Sequence, residues 1–194
     1  MLGCDFPVLI EEDQIQKRVQ QLAQRISQDY QGNDLHVVGV LRGAYQFTQD
    51  LSTKMALPHT LDYISVASYG QGMTSSESLQ LRMDISKPVA GKDVLLVDDI
   101  VDTGITLNWL VDYLKRRRAR TIRTCCFLDK PARRRAAVPT DYIGFPISDV
   151  FVIGYGLDYQ EKYRELPFIS CLSPPGGPDL AVPDVYLIGA TGVA

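Results

Sequence analysis

The stretch VLLVDDIVDTGITL, Val94 to Leu107, decides how the rest of the chain is read. Four apolar residues run into two adjacent carboxylates, Asp98 and Asp99. A continuous apolar run of this kind suits a parallel strand covered on both faces. In an open α/β sheet, ligands bind outside the carboxyl ends of the strands, where these two aspartates fall. Asp102-Thr103-Gly104-Ile105-Thr106 then opens a helix. A glycine and two hydroxyl residues at that place form an anion cradle: free N–H groups point outward, glycine allows close approach, and the helix dipole favours negative charge. Carboxylates at the start of the loop and a phosphate nest at its end together suit a sugar phosphate. An Asp or Thr N-cap alone would account for D-T-G, but it leaves Asp98 and Asp99 as charges without a task.

Working outward, strands and helices alternate. Ile15, Val19, Leu22, Ile26 and Tyr30 recur at helical steps, with Gly32 as a stop. HVVGVL (36–41) reads as a strand ending at Arg42-Gly43-Ala44, and a helix is expected over 44–56. Strands follow at 61–67, 94–99 and 121–128, with a helix from about 104 to 117 between the last two. Further strand-like runs lie at 141–145, 150–155 and 167–173. Residues 69–88, rich in Gly and Ser, read as a long mobile loop or an extended hairpin, and loops of that length are usually functional. The expected fold is α/β, a mostly parallel central sheet flanked by helices. Residues 1–172 read as one domain and 173–194 as a Pro/Gly-rich tail.

Composition narrows the function classes. A chain of 194 residues with 45% hydrophobic and 22% charged residues is an ordinary globular protein. Its net charge of −3 gives no general attraction to nucleic acid or anionic membrane. No apolar run approaches the ~20 residues needed to cross a bilayer, and the N-terminus does not read as a signal peptide. Four cysteines without a C-x-x-C pair, and two histidines, leave little material for zinc or a Cys–His nucleophile. Adjacent Cys125 and Cys126 should face opposite sides of a strand. A cytoplasmic location is expected.

The stretch 94–107 resembles the phosphoribosyl pyrophosphate (PRPP) signature of type I phosphoribosyltransferases. Four more segments, in order, resemble the hypoxanthine-guanine phosphoribosyltransferases: VLRGAYQF (40–47), SYG (68–70), LDKPARR (128–134) and DVFVIGYGLDYQEKYRELPFI (149–169). The match is colinear from roughly residue 8 to 172. It implies the type I phosphoribosyltransferase fold with a small hood built from both chain ends, and transfer of a phosphoribosyl group from PRPP to hypoxanthine or guanine in purine salvage. It implies Asp102 as general base at purine N7. It also implies Asp98 and Asp99 on the ribose hydroxyls and Mg²⁺, and Thr103, Gly104, Ile105 and Thr106 around the 5′-phosphate. Leu41, Arg42 and Gly43 would meet pyrophosphate, through a non-proline cis peptide, together with Ser68, Tyr69 and Arg164. Lys130 would donate to O6, Phe151 would stack on the base, Val152 would offer backbone groups, and Ile100 would line the purine site. Asp158 would sit by the purine and a second Mg²⁺. PRPP, a purine base and a second copy of the chain, as dimer or tetramer, are the implied partners.

Each site has a plainer reading. Lys130 alone could be a surface lysine, Phe151 and Val152 alone read as core, and Tyr155, Tyr159 and Tyr163 recur at steps that would stripe a helix. Position 42 is Arg where several family members carry Lys, and position 150 is Val where some carry Lys. Alternatives are a xanthine-preferring enzyme and a PRPP-sensing regulator, the latter because of the basic runs 115–120 and 132–135. Net negative charge and the short chain favour a solvated helix end for those runs, and nucleic acid and membrane are not expected as partners.

Overall fold

The computed structural model describes residues 7–68 and 79–172. Its main sheet has six strands: β2 (Leu35–Leu41), β3 (His59–Ser68), β4 (Leu79–Met83), β5 (Asp93–Val101), β6 (Thr121–Asp129) and β7 (Tyr142–Pro146). Their order is β4-β3-β2-β5-β6-β7, and every pairing is parallel except β3 with β4. Three helices cover it: α1 (Glu12–Asp29), α2 (Tyr45–Lys54) and α3 (Ile105–Arg116). The sheet is therefore the mostly parallel α/β architecture that the alternating pattern predicts. A second sheet, the hood, sets β1 (Val8–Ile10) antiparallel to β9 (Ile169–Cys171), which pairs with β8 (Val152–Ile153). Both ends of the described chain thus meet in it.

Helix α1 forms where its apolar stripe demands. Ile15, Val19, Leu22, Ala23 and Ile26 are buried, Glu12 and Asp13 complement the dipole in the first turn, and Gln14 Oε1 accepts from Glu11 N–H at 2.9 Å. The chain stops at Tyr30 and turns through Gly32, at φ 80°. Strand alternation divides the core in two. Leu35, Val37, Leu95, Val97 and Cys125 pack on the α1/α2 side, and Val38, Val40, Val94, Leu96 and Cys126 on the α3 side. Cys125 and Cys126 accordingly face opposite layers as free, buried thiols, and burial pushes both well above the usual thiol range.

Several expected boundaries shift. Strand β5 runs past its expected end at residue 99 to Val101, so Asp98 and Asp99 stand within the strand. Within 69–88, Leu79–Met83 forms the returning arm of a hairpin on β3, while Tyr69 and the rest of 69–78 lie outside the described residues, as does 173–194. Only Val152–Ile153 of the expected strand 150–155 is extended and paired. Residues 155–163 do not form a helix. Tyr155, Gln160, Glu161 and Tyr163 all have positive φ, which winds the chain into tight turns and dissolves the tyrosine stripe.

His36 lies at the far end of β2 from the carboxylates, with no exposed surface. Its Nδ1 is 2.5 Å from Thr60 Oγ1, whereas Nε2 has no hydrogen-bond partner and stands 3.8 Å from Asp62. Burial lowers its pKa from 6.5 against the raising effect of Asp62, so the ring is neutral in the fold. The unfolded chain then binds a proton that the native state refuses, and stability is present above pH 6.5 and lost as pH falls below it. Melting temperature should drop between pH 7 and pH 5, and the drop should shrink in His36→Gln. Equal slopes in both proteins would contradict this account.

Candidate active site

The sheet order places the site. From β2 the chain steps through α2 to β3 on one side, and from β5 through α3 to β6 on the other. The carboxyl ends of β2 and β5 therefore flank a topological switch point, where a crevice opens because the two crossovers diverge. Leu41-Arg42-Gly43 lies at the end of β2, and Asp98-Asp99 stands just before the end of β5.

The Leu41–Arg42 peptide bond is cis, as the resemblance implies. Gly43 presses on the carboxylate: a Cβ there would come within 1.6 Å of Asp99 Oδ2. Asp98 is only 6% exposed. Asp98 Oδ1 accepts from Asp99 N–H at 3.1 Å and Asp99 Oδ1 from Ile100 N–H at 2.8 Å. Neither has an ion-pair partner within 4.0 Å among the described residues. Burial raises the Asp98 pKa well above the usual carboxylate range, and the Asp99 charge adds to this. Burial raises that of Asp99 too, opposed by its contact with Asp98 and by the charge of Arg164.

Beyond β5, Gly104 caps α3 at φ 81°. Thr103 Oγ1 accepts from Ile105 N–H at 3.4 Å, and Thr103 O accepts from the N–H groups of Arg135 and Ala136 at 2.9 and 3.0 Å. A cavity of about 430 Å³ opens on this cradle, lined by Asp98, Ile100, Asp102, Thr103, Gly104 and Thr106 among others. A second, of about 280 Å³, gathers Leu41, Arg42, Gly43, Asp99, Asp158 and Arg164, and shares Asp98, Ile100 and Thr106 with the first. The structure thus brings Leu41, Arg42, Gly43, Asp98, Asp99, Thr103, Gly104, Thr106 and Arg164, of the residues expected at PRPP, into two adjoining cavities. Ile105 lines neither, contributing backbone at the start of α3. Ser68 ends β3.

Of the purine-side residues, Ile100 lines both cavities and Asp158 the second, whereas Lys130, Phe151 and Val152 line neither. Lys130 follows β6, is 7% exposed and donates its N–H to Val101 O at 3.0 Å. Burial lowers its pKa, opposed by the charges of Asp102 and Asp149, so it is no surface lysine. Phe151 is 53% exposed, with its ring edge-on to Tyr159 at 5.8 Å, so the core reading of Phe151 is wrong. The side chain of Val152 is core. Asp158 is engaged twice, by Arg164 Nη2 at 2.7 Å and Glu161 N–H at 2.8 Å. It shares the second cavity with Asp98 and Asp99, though no group of three or more His, Cys, Asp or Glu among the described residues is close enough to hold one metal ion by itself.

Sequence reasoning overlooked three charged residues. Glu161 pairs with Arg42 at 3.0 Å and approaches Arg164 at 3.8 Å. Arg133 lies 2.9 Å from Asp102 and 3.3 Å from Asp149. Apart from Glu161–Arg164, which are three residues apart, these pairings have no spacing signal, since each joins separate loops. The basic runs are largely held within the fold: Lys115 by Asp112, Arg117 by Asp84, Arg120 by Asp93 and Arg134 by Asp129.

The phosphoribosyl transferase domain family matches residues 10–160. The hypoxanthine-guanine phosphoribosyltransferase of Bacillus subtilis is 41% identical over 86% of this chain and 93% of its own length. The bifunctional protein TilS/HprT of Listeria innocua is 43% identical, but the chain spans only 26% of its length. Among solved structures, a hypoxanthine phosphoribosyltransferase from Staphylococcus aureus superposes with a TM-score of 0.86 at 37% identity, over 90% of this chain and 98% of that one. The chain belongs to the phosphoribosyl transferase domain family and, within it, to the hypoxanthine-guanine phosphoribosyltransferases.

Proposed function

We propose that this chain transfers the phosphoribosyl group of PRPP to hypoxanthine or guanine, giving the nucleoside monophosphate and pyrophosphate. The observation that carries the reading is the Asp98–Asp99 pair, the first buried and the second half-buried, without ion-pair partners at the switch point and beside the cradle of α3. Hydroxyls of a ribose satisfy such carboxylates as donors, and the 5′-phosphate accepts from the N–H groups and threonine hydroxyls of residues 103–106.

Chemistry follows from the placement. The bond from ribose C1 to pyrophosphate breaks as the bond to purine N9 forms, and the N7 proton passes to Asp102. Arg42 and Arg164 meet the departing pyrophosphate, exchanging an exposed pair with Glu161 and a half-buried one with Asp158 for its oxygens. Mg²⁺ fits this donor set: two carboxylates of raised pKa gain from a divalent cation, and Mg²⁺ takes few protein ligands beside substrate oxygens and water. When bound it would neutralise charge developing on pyrophosphate. Asp98 and Asp99 would hold one ion and Asp158 another. Lys130 donates to O6, Phe151 offers an exposed ring for stacking, and Val152 supplies backbone groups.

Residues 1–172 form the catalytic unit in this reading, assembling as a homo-oligomer. Three free, buried thiols suit a reducing cytoplasm. No helix among the described residues is long and apolar enough to cross a membrane. The ion pairs of the basic runs leave the regulator alternative without support.

Three outcomes are expected. With PRPP and Mg²⁺, the purified chain should turn over hypoxanthine or guanine with kcat/KM roughly a hundredfold or more above adenine, whose 6-amino group cannot accept from Lys130. Xanthine in the same panel tests the alternative preference, and turnover of adenine alone would refute the assignment. Asp98→Ala should weaken PRPP binding in calorimetry, through lost charge-assisted acceptors; unchanged affinity would remove Asp98 from the ribose site. Asp102→Asn should lower kcat by about 10²–10⁴ with little change in PRPP affinity. Since Asn caps about as well as Asp, near wild-type turnover would reduce Asp102 to a cap.

A further inference from the structure

Arg133, Arg134 and Arg135 follow one another, yet the fold uses each differently. Arg134 pairs with Asp129 at the end of β6, and Arg135 donates its backbone N–H to Thr103 O. Arg133 sits in the 3₁₀ turn Pro131–Arg133, its N–H donating to Lys130 O at 3.1 Å. Its guanidinium bridges two carboxylates on different loops, with Nε 2.9 Å from Asp102 Oδ1 and Nη1 3.3 Å from Asp149 Oδ1.

The contact with Asp102 is asymmetric. Asp102 Oδ1 is shut off from solvent and accepts no well-aligned hydrogen bond, so its neighbour is the Arg133 charge. The side chain as a whole is nevertheless 36% exposed. Its open part therefore lies on the Oδ2 side, and Asp102 lines the larger cavity. One oxygen is held and the other is left available.

We infer that Arg133 is a positioning residue, which fixes the Asp102 carboxylate so that Oδ2 is presented to N7 of the purine. The inference rests on the reading of Asp102 as general base. Lys130 starts the turn whose last residue is Arg133, so a single short turn aligns the donor to O6 and the acceptor for N7, neighbouring atoms on one edge of the base. Asp149 anchors the guanidinium from the hood side. An ion pair with Arg133 at 44% exposure contributes little to folding, so a purely structural role predicts near silence on removal. A base displaced by about 1 Å can cost on the order of 10²-fold in rate.

The test is a kinetic cycle with hypoxanthine and PRPP–Mg²⁺, using Arg133→Ala, Arg133→Lys and Asp149→Asn, alone and with Asp102→Asn. Arg133→Ala should lower kcat roughly tenfold while KM for PRPP stays within about twofold. Arg133→Lys should recover part of the loss, and Asp149→Asn should shift kcat the same way by less. Added to Asp102→Asn, Arg133→Ala should have almost no further effect, because it acts through the carboxylate already removed. Unchanged kcat in Arg133→Ala, the same loss in the Asp102→Asn background, or a loss confined to KM for PRPP would each overturn the inference. Should Arg133→Ala fail to fold, Arg133→Lys and Asp149→Asn decide, and wild-type kcat in both overturns it. Failure of the underlying reading shows separately, as wild-type protein that does not turn over hypoxanthine or Asp102→Asn that matches it.

Discussion

Two neighbouring carboxylates stand near the end of an apolar strand, Asp98 buried and Asp99 half-buried, and much of the surrounding structure is organised about them. Taking a charge out of water is costly unless a partner or hydrogen bonds compensate. Asp98 and Asp99 accept from N–H groups of their own segment and from little else. The raised pKa of both measures that deficit. Such a pair persists because the parallel strands around it bury enough apolar surface to hold β5 in place. Val94, Leu95, Leu96 and Val97 are fully buried, and β5 is hydrogen-bonded on both sides.

Close approach at the pair depends on missing side chains. Gly43 lies against Asp99, and Gly156 lies on Gly43, where a Cβ would fall within 2.1 Å of Gly43 O. Gly156 also has φ 98°, which L side chains rarely adopt. This stack lets the turn after β8 descend to the end of β2. Arg164 Nη1 then donates to Gly156 O at 2.7 Å and reaches Asp158 with Nη2. Hood and sheet meet as backbone on backbone at the point where the leaving group would sit.

The sequence made legible whatever local pattern controls. Apolar continuity identified β5, helical spacing identified α1, and residues 102–106 announced the cradle of α3. Less was visible where three-dimensional closure decides. Strand β1 is three residues long and exists only through β9. The exposure of Phe151 could not be read from VFVI, whose composition fits core equally well. Tyrosines at 155, 159 and 163 mimic a helical stripe, yet Tyr155 is buried with its hydroxyl donating to Asp50 at 2.6 Å while Tyr159 is exposed and meets Phe151 edge-on. The Asp102–Arg133 contact spans two loops that sequence distance leaves unrelated.

The electrostatics of the ligand-free site point one way. Arg42 and Glu161 pair at 66% and 63% exposure, where water competes and little free energy is at stake. Arg164 divides itself between Asp158 and Glu161. Arg42 can pass to a pyrophosphate at small cost, since the Glu161 carboxylate it leaves is wet, and Glu161 also stands 3.8 Å from Arg164. Asp98, buried, and Asp99, half-buried, are the opposite case: neither has an ion-pair partner among the described residues, so hydroxyl donors or a divalent ion relieve a penalty already present in the fold. Cations held loosely and anions held without partners are complementary to one ligand that carries both phosphate and hydroxyl groups. Binding such a ligand stabilises the folded chain by mass action, and the strain of burying two like charges becomes part of its affinity.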